Sequence, residues 1–75
     1  MMSVEQLLAV REFYRLSNDL LHDGYQVMFA HIIDKLYLSR FVHRNGNRVT
    51  LILNLDNGQL SQTKNGKECY SAKVC

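Results

Sequence analysis

Three histidines and two cysteines are the side chains of this 75-residue chain best suited to holding a metal or a reacting group. Zinc sites draw on ligands paired at C-x2-4-C or H-x3-5-H spacing, so that two donors reach one ion from a single turn. His22, His31 and His43 stand 9 and 12 residues apart, and the cysteines follow much later. That spacing predicts no metal site. Cys69 and Cys75 fall in a segment that reads as a strand, which holds them about 20 Å apart, beyond disulfide reach. They are expected to be free thiols, although the terminal Cys75 could join two chains.

Catalysis has as little support. A nucleophile needs a base within hydrogen-bond reach, and the base needs a group that orients it. Cys69 has no histidine near it in sequence, and capping at a helix junction accounts for the aspartate of His22-Asp23. The four glycines are single, at 24, 46, 58 and 66, so no glycine-rich loop cradles a phosphate. The expectation is a protein that is not an enzyme and that takes no cofactor.

Cationic residues make the stronger pattern. Lys35, Arg40, His43, Arg44 and Arg48 form a run with no carboxylate until Asp56. Residues 1–34 carry five acids against two arginines, a net −3, while residues 35–75 carry seven Lys and Arg against two acids, a net +5. This split gives an acidic N-terminal half and a basic C-terminal half, each able to steer a complementary partner. It also leaves room for self-association. Arg40, Arg44 and Arg48 are therefore the first candidates for a partner-binding face, followed by Tyr70, whose face depends on the last turn: a two-residue turn would add it to the arginines. The reading favoured is a small non-enzymatic module that binds a protein, as a regulator or inhibitor of a larger assembly. The alternative is a nucleic-acid-binding protein, since phosphates need only such a cluster of donors and a two-stranded ribbon fits a major groove. Against it, Tyr37 and Phe41 are expected in the core rather than on a stacking platform.

The elements that position these residues are predicted as an α+β domain, an N-terminal αα-hairpin packed on a three- or four-stranded antiparallel β-meander. Ser3 and Gln6 have the spacing of a capping box, and Leu7, Val10, Phe13, Tyr14, Leu20 and Leu21 supply an apolar stripe. Ser17-Asn18-Asp19 is a weak point in that helix, and Asp23-Gly24 is a stop. Tyr25, Met28, Phe29, Ile32, Ile33, Leu36 and Tyr37 recur at three and four residues, which predicts a second helix. Residues 36–42 are ambiguous between the end of that helix and a first strand.

Asn45-Gly46, Asn57-Gly58 and Asn65-Gly66 then separate short alternating segments, the pattern of β-hairpins. Val49, Leu51, Leu53 and Leu55 mark the buried face of a central strand. A three-residue first loop, Asn45 to Asn47, keeps Tyr37 and Phe41 buried and sets Phe41 opposite Leu51. On that register Arg40, Arg44 and Arg48 share the outer face. The last turn, Lys64 to Gly66, likewise sets Leu60 opposite Tyr70.

A chain of this length forms one domain, residues 1–75, with 47% hydrophobic and 21% charged residues as in ordinary globular proteins. Glu5, Arg11, Glu12 and Arg15 interrupt the N-terminal apolar residues, so no leader peptide is predicted there. No apolar run nears the ~20 residues that span a bilayer. A soluble, cytoplasmic protein without membrane partners is expected.

Overall fold

The computed structural model describes the backbone of residues 3–73 and the side chains of residues 3–68. It contains one helix, α1 (Val4–His22), and five strands: β1 (Tyr25–Ile33), β2 (Leu36–His43), β3 (Arg48–Asn54), β4 (Gln59–Lys64) and β5 (Lys67–Lys73). The strands form a single antiparallel sheet in the order β1-β2-β3-β4-β5, each paired with its neighbour in sequence. The class is α+β, as expected.

The capping box that opens α1 is present. The Ser3 hydroxyl accepts from the Gln6 amide at 3.2 Å, and the Gln6 side chain accepts from the Ser3 amide at 3.1 Å. The helix runs unbroken through Ser17, whose hydroxyl donates to the Phe13 carbonyl at 2.9 Å. Arg15 pairs with both Glu12 and Asp19 on the exposed side. Its guanidinium holds the Glu12 carboxyl below the usual glutamate range, chiefly through their hydrogen bond. Ser3→Ala should lower stability by about 1 kcal/mol. A shift of the urea midpoint with unchanged slope would show it.

The predicted second helix is absent, and with it the αα-hairpin. Residues 25–37 are β1 and the start of β2, joined by a two-residue turn at Asp34-Lys35, with Asp34 in the left-handed region at φ 55°. Two physical features produced the misleading periodicity. A bulge between Val27 and Phe29 breaks the two-residue alternation of the strand. The apolar pairs Met28-Phe29 and Ile32-Ile33 then fall at helical spacing, although Met28, Ile32 and Ile33 are all exposed. Residues 36–42 are resolved as strand, and the sheet has five strands rather than three or four.

The core lies between α1 and one face of the sheet. Ala9, Phe13 and Leu20 of the helix meet Tyr37 and Phe41 of β2, Val49, Leu51 and Leu53 of β3, Leu55, and Leu60 of β4. The Phe13 and Tyr37 rings meet edge to face, with centroids 5.8 Å apart. Of the stripe predicted for the first helix, Phe13 and Leu20 are buried, but Leu7, Tyr14 and Leu21 are exposed.

Two registers differ from expectation. Phe41 opposes Val49, not Leu51, because the first turn is closed by His43 and Asn47. That is a shift of two residues, so Tyr37 and Phe41 keep the buried face. The last hairpin turns on Asn65-Gly66 alone, with φ values of 53° and 85°, and a bulge follows between Gln62 and Thr63. Leu60 is thereby set opposite Ala72 and Tyr70 opposite Gln62. A two-residue turn with both residues at positive φ matches the twist of the strands, and the bulge absorbs the leftover residue.

Candidate interaction face

The sheet has one face covered by α1 and one face that no helix covers. Because side chains alternate, burial of Tyr37, Phe41, Val49, Leu51 and Leu53 sends Leu38, Arg40, Val42, Arg48, Thr50 and Ile52 to the open side. On that side Arg40 lies directly opposite Thr50, and Val42 opposite Arg48. Phe29 of β1 stands opposite Arg40 on the other flank.

Arg40 is held from both sides. Its Nε donates to Thr50 Oγ1 at 3.3 Å, and its guanidinium carbon lies 5.4 Å from the centroid of the Phe29 ring. A planar cation stacked on an aromatic face loses side-chain freedom before any ligand arrives, while its terminal N–H groups stay available. Arg40 is exposed, and among the described residues no carboxylate lies within ion-pair distance of it, of Arg44 or of Arg48. Lys35, by contrast, pairs with Asp56 at 3.1 Å across the turns at the far end. That hydrogen bond raises the Lys35 pKa.

Arg40 and Arg48 share a shallow recess of about 420 Å³ with Thr50, Ile52, Thr63, Asn65 and Gly66. Asn65 braces this end of the face. Its amide donates to the Arg48 carbonyl at 2.8 Å and its side-chain oxygen accepts from the Arg48 amide at 2.9 Å, extending the β3–β4 ladder past Lys64. Arg44 belongs elsewhere. It sits in the turn after β2 and lines a second recess with His22, Asp23, Gly24, Gln26, Val42 and His43. Of the four predicted positions, the structure brings Arg40 and Arg48 together and sets Arg44 apart. The Tyr70 side chain lies outside the described residues.

Sequence reasoning missed Phe29, Thr50 and Asn65. Phe29 had been placed in a helix, so its position over Arg40 had no signal. Thr50 could have been found from strand alternation, since the outer face of β3 was legible. Among the described residues, no three His, Cys, Asp or Glu side chains gather as metal ligands. The three histidines lie apart, His22 ending α1, His31 in β1 rather than on a helix, and His43 ending β2. Among the described residues, no helix is long and apolar enough to cross a membrane.

The charge division also changes meaning. α1 carries Glu5, Glu12 and Asp19 against Arg11 and Arg15, and β1 carries no Asp, Glu, Lys or Arg. Of the basic residues behind the split, Arg40 and Arg48 lie on the open sheet face, while Lys35 and Arg44 stand in turns. The chain matches no family model, no curated protein and no solved structure.

Proposed function

We propose that this chain is a non-enzymatic interaction module whose open sheet face binds a carboxylate-bearing patch on a larger protein, acting there as a regulator or inhibitor. The observation that carries this reading is Arg40, fixed by Phe29 and Thr50 and, among the described residues, without a carboxylate within ion-pair distance. Arginine beside half-buried apolar residues, here Val42 and Ile52, is the composition of interface centres. A bidentate carboxylate would meet the free edge of a guanidinium already in place, so little ordering entropy opposes the contact.

The same arginines suit phosphates, and nucleic-acid binding is the second reading. It draws on the run of Arg40, Arg44 and Arg48 in a stretch of sequence that holds no acid between Lys35 and Asp56. An interspersed apolar surface serves a protein partner better than a phosphate backbone.

Affinity capture from the native host, with and without nuclease treatment, separates the two. The wild-type chain should retain a defined protein after nuclease treatment. Arg40→Glu/Arg48→Glu should weaken that complex about a hundredfold or more, because an opposed charge leaves the partner's carboxylate buried against a like charge. Recovery of the same protein by both forms would remove the open face from consideration. Loss of all retention on nuclease treatment, with steep salt dependence, would replace the protein reading with the nucleic-acid one.

A further inference from the structure

The two outer edges of the sheet differ sharply in how they are guarded. β5 begins and ends with lysine and carries Glu68, the usual protection against edge-to-edge pairing. β1 is nine residues long, with no Asp, Glu, Lys, Arg or Pro from Tyr25 to Ile33. Its only irregularity is the bulge between Val27 and Phe29. An antiparallel strand turns alternate N–H and C=O groups away from its neighbour, so β1 offers an unpaired ladder along the sheet edge.

Apolar surface continues from that edge onto the helix. Val27 and Ile32 oppose the buried residues Phe41 and Tyr37, which places them on the helix-facing side, yet they are 49% and 61% exposed. They are bare because α1 crosses the sheet obliquely. Its C-terminal end is tied to the Tyr25 end of β1 by Asp23-Gly24, while at its other end the Gln6 side chain reaches the Leu55 carbonyl beyond β3. The Ile32 end of β1 therefore has no helix above it. On α1, Leu7, Tyr14 and Leu21 recur every seven residues in one exposed line. That line lies about a third of a turn from the buried one, and the right-handed winding of α1 turns it toward the β1 edge.

We infer that two copies of this chain join through their β1 edges, antiparallel about a two-fold axis perpendicular to the sheet, to give one continuous ten-stranded sheet. The axis sets the Tyr25 end of one β1 beside the Ile32 end of the other. It thereby brings the Tyr14–Leu21 part of each helix over the bare Ile32 of its partner copy. A strand without Asp, Glu, Lys or Arg meets itself with no repulsion between such charges, which a strand rich in them would not match. The area is also adequate. Tyr14, Leu21, Val27, Met28 and Ile32 are each about half exposed, at roughly 100 Å² apiece, and the strand backbone adds to them toward the ~800 Å² per partner of a stable interface.

Sedimentation equilibrium in reducing buffer tests this, with Cys69 and Cys75 kept as thiols. The wild type should have twice the 8.7 kDa chain mass at micromolar concentration and should keep it in high salt. Ile32→Lys and Leu21→Glu should each raise the dissociation constant about tenfold or more, with unchanged circular dichroism. Both positions are exposed in the single chain, and if one variant fails to fold the other decides. Arg40→Glu/Arg48→Glu should remain dimeric, so this interface stands or falls apart from the open-face reading. Amides of β1 should exchange more slowly in the wild type than in a monomeric variant. A wild type of single-chain mass, a dimer that dissolves in high salt, or charge variants that still pair would overturn the assignment.

Discussion

Phe41→Ala should lower the unfolding free energy by about 3–5 kcal/mol, the largest single loss in this molecule. Phe41 is the bulkiest of the fully buried side chains and has 1% of its surface exposed. It occupies β2 opposite Val49, beneath the helix, so its removal opens a void that α1 and two strands would have to close together. A chain of this size buries only about 60% of its unfolded surface and has a thin margin, on the order of 5 kcal/mol. The variant should therefore be substantially unfolded in the absence of denaturant, with near-ultraviolet circular dichroism and urea titration as the measurements. Native-like stability in Phe41→Ala would mean that the core does not lie between α1 and β2–β4.

Gly24→Val should cost nearly as much, by a different route. Gly24 has φ 94°, a conformation that a β-branched residue hardly adopts, and the left-handed region costs an ordinary side chain about 1–2 kcal/mol. A Cβ at this position would also meet His43 Nε2 at 3.0 Å. The imidazole cannot easily move aside, since its Nδ1 accepts from the Asn45 amide at 3.2 Å and its ring packs edge-on against Tyr25. Strain and collision together should bring the loss to about 2–3 kcal/mol. His43→Ala in the Gly24→Val background should restore the collision part and leave the backbone part, a separation that a double-mutant cycle measures. Complete rescue would show that the positive φ carries no cost of its own.

Most of the sheet was legible in the sequence because the forces that build it are local. Val49, Leu51 and Leu53 alternate strictly, and the asparagine-glycine pairs supply the positive φ values that the turns demand. The buried face of β2 followed from the cost of burying Arg40, and it survived a two-residue error in register because parity was preserved. β1 was not legible, for equally local reasons. Its bulge breaks the alternation, and its turn uses Asp34-Lys35 in place of an asparagine-glycine pair. Its apolar residues are mostly exposed, so their spacing reported no buried face, helical or extended. The candidate site inherited that error. The arginines were visible as a charge pattern, but the ring that fixes Arg40 comes from the misread segment. The open edge was invisible too, since a helix has no edge.

Every strand of the meander reaches its neighbour across a turn of two to four residues, at Asp34-Lys35, residues 44–47, residues 55–58 and Asn65-Gly66. Closing such short loops costs little chain entropy, and each hairpin forms on the microsecond scale without waiting for the others. α1 is the exception, because its N-terminal turn rests near Leu55, 49 positions along the chain from Gln6. During synthesis the helix therefore emerges before the sheet and completes its packing after it. Phe13 can meet Tyr37 once β2 has emerged, but the core that α1 covers stays incomplete until β3 and β4 follow, which makes the early nascent chain, rather than any late hairpin, the stage most exposed to misassociation.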